Sequence, residues 1–145
     1  IILVCNLLGL ICILDMKTAF INIRRSIKDK IDVIESFTHA ESIDIIGLGE
    51  IDLDINEQPP AIRGFSCIVD AQPLKRVCTY IRNGIQFNQL HYDGNLPCTI
   101  ISTNYTTYVM VYSEFTDHPY SNARVRLGEK TRINRILDML NWWVF

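Results

Sequence analysis

Apolar residues come in short runs separated by polar turns, and the spacing within the runs changes from the strand period to the helix period and back. Lys17 to Ile23 carries Ala19, Phe20, Ile21 and Ile23 and gives way at once to Arg24 and Arg25, which predicts a short core strand ending at Asn22 or Ile23. Ser26 then opens a helix. Ser26 and Asp29 have the spacing of a capping-box variant, and Ile27, Ile31, Ile34 and Phe37 recur as the stripe of one helical face. That helix is expected to stop between His39 and Ser42. Ile43 to Leu48, interrupted only by Asp44 and Gly47, has the pattern of a strand buried on both faces of an α/β sheet. The order to this point is β-α-β.

Asn56 to Pro60 is a turn cluster, and four segments of strand character follow: Phe65 to Val69, Val77 to Arg82, Thr99 to Thr103 and Tyr108 to Tyr112. Asn83-Gly84, Asp93-Gly94-Asn95 and Asn104 supply turns between them, so these strands are expected to be antiparallel neighbours. From Asn122 to Asn141 the helical period returns through Val125, Ile133, Ile136, Leu137 and Leu140, and Trp142 to Phe145 begins another apolar strand. No internal repeat and no second domain boundary is visible.

Length and composition narrow the class. With 145 residues, 48% hydrophobic and 21% charged, the chain suits one globular domain and excludes disordered and collagen-like classes. A formal net charge of -2 gives no bulk attraction to nucleic acid or anionic membrane, so any such role needs a local site. The five cysteines, Cys5, Cys12, Cys67, Cys78 and Cys98, include no C-x-x-C pair, which points to buried reduced thiols and an intracellular setting. Ile1 to Leu14 is uncharged and apolar but shorter than the roughly 20 residues of a spanning helix, and it lacks the basic start and small-residue cleavage site of a signal peptide. Residues 1–15 are therefore set apart as an apolar leader, upstream of a domain that starts at Met16. A membrane-associated or secreted protein led by this stretch is the less favoured alternative. The chain opens without an initiator Met and closes inside an apolar run, and both ends are expected to be cuts.

Asp32, Glu35, Glu41, Asp44, Glu50, Asp52, Asp54 and Glu57 form an acidic run with no Lys or Arg between Lys30 and Arg63. Such a run is usually a solvated face. Glu50 differs because it stands at the carboxyl end of the Ile43 to Leu48 strand, where ligands bind in open α/β sheets. Mg²⁺ is commonly held by one or two carboxylates plus water and substrate phosphate, so Glu50 with the amide of Asn22, at the end of the preceding strand, would make half a site.

The order of these segments carries a resemblance. Asn22-Ile23-Arg24-Arg25-Ser26-Ile27 after a strand, a helix, then Ile43-Asp44-Ile45-Ile46-Gly47-Leu48-Gly49-Glu50, resembles the amino-terminal half of the exonuclease-endonuclease-phosphatase fold. The nearest likeness is to the endonuclease domain of LINE-type (non-LTR) retrotransposons. Arg76-Val77-Cys78-Thr79-Tyr80-Ile81-Arg82-Asn83-Gly84-Ile85 is similar to that family's central hairpin, Tyr108 to Phe115 to its next core strand, and Arg126 to Leu140 to the long helix before its Gly-Asp-x-Asn strand.

The resemblance covers residues 16–145 and implies the first part of a four-layer α/β/β/α sandwich of the DNase I-like kind, with the C-terminal half missing. It implies a Mg²⁺-dependent phosphodiesterase, with Mn²⁺ as a substitute, that nicks DNA. Glu50 would be the principal metal ligand, Asn22 an active-site amide close to metal and phosphate, and Tyr112 a contact to the scissile phosphate. A reverse transcriptase domain in the same polyprotein and a nuclear setting are implied as well. Relatives often carry Thr or Ser after the metal-binding Glu and Arg after the strand tyrosine, whereas Ile51 and Ser113 stand here. The Gly-Asp-x-Asn segment and the late Asp-His pair that supply the base are absent, and His39, His91 and His118 lie on the wrong motifs to replace them. Catalysis by this chain alone is expected to be poor. Arg24, Arg25, Lys28 and Lys30 are candidates to track a nucleic-acid backbone near the site, whereas Arg124, Arg126, Lys130, Arg132 and Arg135 read as a solvated helix face. The alternative is a noncatalytic α/β binding module or a decayed remnant, with the acids as surface charge.

Overall fold

Strand β3 (Met16–Asn22) sends Ala19 and Ile21 to one face of its sheet and Phe20 to the other, and both sides are apolar because both are covered. The computed structural model describes the backbone of residues 2–5 and 9–13 and the whole of residues 16–112. The other elements are strands β1 (Ile2–Cys5) and β2 (Gly9–Ile13), helix α1 (Ile27–Ala40), and strands β4 (Ile45–Leu53), β5 (Phe65–Val69), β6 (Lys75–Arg82), β7 (Asn88–Leu90), β8 (Cys98–Ser102) and β9 (Thr107–Val111). They form a five-stranded sheet in the order β2-β3-β4-β6-β5 and a four-stranded sheet in the order β1-β9-β8-β7. The chain is a mixed α/β protein.

β3 and β4 run parallel, with α1 as the connection that parallel neighbours require, and the other pairs of the first sheet are antiparallel. Ile27 and Ile34 of α1 pack on Ala19, Ile46, Leu48, Cys78 and Tyr80. On the opposite face Phe20, Ile45, Val77 and Ile81 meet Ile101, Tyr108 and Met110 of the second sheet. Helix, sheet and sheet are thus stacked around two apolar layers. Between the sheets Thr79 and Thr99 pair their hydroxyls at 2.6 Å, which satisfies two buried polar groups at once.

Several expectations are corrected. Ser26 makes no side-chain cap and has φ 58°, so the capping-box variant does not form, although α1 ends at Ala40 as the periodicity indicates. The strand expected to stop at Leu48 continues to Leu53 through an irregularity between Gly49 and Leu53. The four later strands are antiparallel neighbours in two pairs, as expected, but the pairs part company: β5 and β6 belong to the first sheet, β8 and β9 to the second, and the short β7 was not foreseen from the sequence. Strands β1 and β2 pair with the sheets, β1 parallel to β9 and β2 antiparallel to β3. No helix among the described residues is long and apolar enough to cross a membrane. The helix expected from Asn122 to Asn141 with its arginines, the strand from Trp142, and His118 lie outside the described residues.

Candidate functional site

The parallel pairing of β3 with β4 brings their carboxyl ends to the same edge of the sheet, and Asn22 pairs with Gly49 one residue short of Glu50. β6 runs the other way, so its first residues return to that edge, with Val77 opposite Gly49. Beyond Gly49 the pairing breaks. Glu50, Ile51 and Asp52 stand opposite Arg76 alone before Leu53 pairs with Lys75, and Glu50 and Asp52 have φ of 58° and 48°. This bulge reorders the faces: Ile46 and Leu48 enter the helix-side core before it, Ile51 and Leu53 after it. The two acids are thereby released from the core and meet the end of the cleft between the sheets, where Tyr112 stands immediately after β9.

Glu50 is half-buried, and its Oε1 accepts from Asn22 Nδ2 at 3.0 Å and from the Tyr112 hydroxyl at 3.3 Å. Its other oxygen, Oε2, takes no hydrogen bond from any described residue. Asn22 Oδ1 accepts the backbone N–H of Arg24 at 3.0 Å, so the amide orients the carboxylate with its nitrogen and the following loop with its oxygen. That loop is strapped to the bulge, since the N–H of Ile23 donates to Gly49 O and that of Arg25 to Glu50 O. Arg24, Arg25 and Ser26 are all left-handed, with φ of 51°, 69° and 58°, a conformation that costs non-glycine residues on the order of 1 kcal/mol each. The ammonium of Lys30 offsets part of that cost by donating to the carbonyls of Ile23, Arg24 and Arg25.

A second group adjoins the first. Asp52 binds Arg76 Nη1 at 2.7 Å through Oδ1 and Arg25 Nε at 3.0 Å through Oδ2. Arg76 Nη2 in turn donates to the Tyr112 hydroxyl at 2.7 Å, and the guanidinium lies 4.5 Å from the centre of the same ring. Three arginines and two carboxylates therefore share one corner, with Arg24 and Arg25 exposed.

The three residues singled out from the sequence, Asn22, Glu50 and Tyr112, are brought together. Of the basic candidates, Arg24 and Arg25 flank the site, while Lys28 pairs with Glu57 at 2.5 Å and Lys30 is taken up by the loop. His39 is occupied elsewhere, beside Glu35 and edge-on to Phe65, and His91 is exposed. Asp52 and Arg76 were not picked out from the sequence. The spacing of Asp52 two residues after Glu50 was a signal for the first, but the second depends on a register that only the bulge sets. Among the described residues no three His, Cys, Asp or Glu side chains cluster as a metal cage. A hard cation that keeps most of its waters needs no such cage, and Glu50 Oε2 is the oxygen left for one. No protein-family model and no curated protein matches the chain.

Proposed function

We propose that this chain is the first part of a four-layer α/β/β/α, DNase I-like domain whose intact form hydrolyses phosphodiester bonds in DNA with Mg²⁺, as in the endonucleases of LINE-type retrotransposons that its motifs resemble. One observation carries the reading: the side chains of Asn22, at the end of β3, and Tyr112, just after β9, converge on one carboxylate oxygen of Glu50 at the β4 bulge, and the other oxygen takes no hydrogen bond from a described residue.

Glu50 is the residue to hold the metal, and its donor chemistry fits a hard cation. When bound, Mg²⁺ supplies charge neutralisation and polarisation of the phosphate. Asn22 fixes the carboxylate's orientation, so that binding does not have to freeze a free side chain. The Tyr112 hydroxyl, whose one proton goes to Glu50 Oε1 at 3.3 Å, would donate to a non-bridging phosphate oxygen by turning from that long bond, and exposed Arg24 and Arg25 add attraction for the nucleic-acid backbone. Weak nicking by this chain alone is part of the proposal. A nuclear setting and a reverse transcriptase in the same polyprotein belong to this reading.

The test is thermal unfolding of the full chain with and without Mg²⁺. At tenfold excess over its Kd the cation stabilises by about 1.4 kcal/mol, a shift of roughly 3 to 6 °C. Glu50→Ala is expected to abolish the shift and Asp54→Ala, an exposed acid nearby, to leave it nearly intact. Equal responses from the two variants sink the metal assignment and favour the noncatalytic binding module.

A further inference from the structure

Among the described residues Arg76 is held at its backbone and through both terminal guanidinium nitrogens, one of which reaches Tyr112. Its backbone N–H donates at 2.7 Å to the carboxylate of Asp70, a buried acid that also accepts from Gln72 and Val77 and so fixes the start of β6. Nη1 is engaged by Asp52, and Nη2 reaches the Tyr112 hydroxyl while the guanidinium covers the ring. The side chains of Arg76 and Asp52 are 15% and 18% exposed, against 76% for Arg25. A guanidinium that is enclosed, charge-matched and engaged through both terminal nitrogens is badly placed to meet a phosphate itself. It is well placed to hold a phenol still.

We infer that Arg76, clamped by Asp52, is a positioning residue that fixes the Tyr112 hydroxyl for a phosphodiester oxygen; the phosphodiester part rests on the function proposed above. The irregular stretch of β4 is what makes the clamp. Because Glu50, Ile51 and Asp52 together face Arg76, one bulge delivers both the carboxylate that Tyr112 touches and the carboxylate that anchors the tyrosine's partner. Binding then does not spend free energy ordering the phenol. Lysine cannot substitute, since a single ammonium cannot span Asp52 and Tyr112 as the fork of a guanidinium does.

The test is binding of the thymidine dinucleotide TpT to the full chain in Mg²⁺. Arg76→Met and Tyr112→Phe are each expected to weaken it roughly fivefold to tenfold, and the double variant no further than either single one. Losses that multiply would overturn the inference, because Arg76 would then touch the phosphate directly. A second readout is the ¹⁹F spectrum of chain labelled with 3-fluorotyrosine, in which the Tyr112 line is assigned by its loss in Tyr112→Phe. Asp52→Asn, which loosens the clamp without touching the ring, is expected to move or broaden that line more than those of the other tyrosines. An unmoved line overturns the clamp. If the wild-type chain does not bind TpT while Asp52→Asn still moves the line, the phosphodiester reading fails and the clamp stands.

Discussion

Cys98 is 8% exposed at the start of β8, and burial, with the Asp70 carboxylate adding to it, pushes its thiol up to about 12 from an ordinary value of 9.0. A raised value in the folded chain means that the stability it underwrites is complete below pH 9 and is lost as the pH climbs toward 12, because only the unfolded chain ionises in that window. Cys78 and Tyr80, both also raised chiefly by burial, act in the same sense. Urea unfolding between pH 8 and 11 is therefore expected to show falling stability, with the slope reduced in Cys98→Ala by up to about 1.4 kcal/mol per pH unit near pH 10 to 11; an unchanged slope would put Cys98 in contact with water. The expectation of buried thiols holds for Cys78 and Cys98 and fails for Cys67, which is exposed on the edge strand β5. At this scale the sequence was informative wherever a residue closes a strand, as Asn22 and Tyr112 do. It was silent on the meeting of Asp52 with Arg76, because that depends on how many residues of β4 oppose one residue of β6.

Two glycines set the spacing inside β4. A methyl group on Gly47 would lie 2.7 Å from Met110 Sδ and 2.9 Å from Phe20, whereas on Gly49 it would only touch the tip of Phe20 at 3.0 Å. Gly47→Ala is expected to lower stability by about 1 to 3 kcal/mol, and Gly49→Ala by less, in urea unfolding; equal and negligible effects would mean that the sheets separate freely at this point. The same strand marks the limit of what periodicity could reveal. The run Ile43 to Leu48 announced a strand buried on both faces, and residues 45–49 are buried. Its continuation was hidden because Glu50 and Asp52 break the apolar pattern at the residues where the backbone turns left-handed. The helix was legible from its stripe and its end, but Ser26 was misread as a cap: the loop before it is held by backbone bonds to β4 and by Lys30, leaving the hydroxyl no part in closing the first turn.

For the molecule as a whole, the mixed α/β class was legible from the β-α-β opening and the run of short strands, whereas the division of those strands between two sheets was not. The role of residues 1–15 was hidden for a related reason. An apolar run with no polar alternation does not declare which strand it will join, since register is specified by the contrast between faces. In the described sheets β2 covers the edge of β3 and β1 covers the edge of β9. A chain of residues 16–145 exposes both edges and is expected to self-associate, seen by sizing chromatography with light scattering against the full chain. A truncated chain that stays monomeric with the same melting temperature would show that these pairings contribute nothing. The pairing of β1 with β9 also has a temporal side: Ile2 meets Tyr108, more than a hundred residues later in the chain. At ribosomal speeds of about 5 to 20 residues per second, the first strand is made roughly 5 to 20 s before its partner exists. For that interval an uncharged, strand-forming segment lacks the neighbour it pairs with in the sheet, which makes it a natural client for a chaperone and gives the nascent chain the longest loop among the described strand pairings to close.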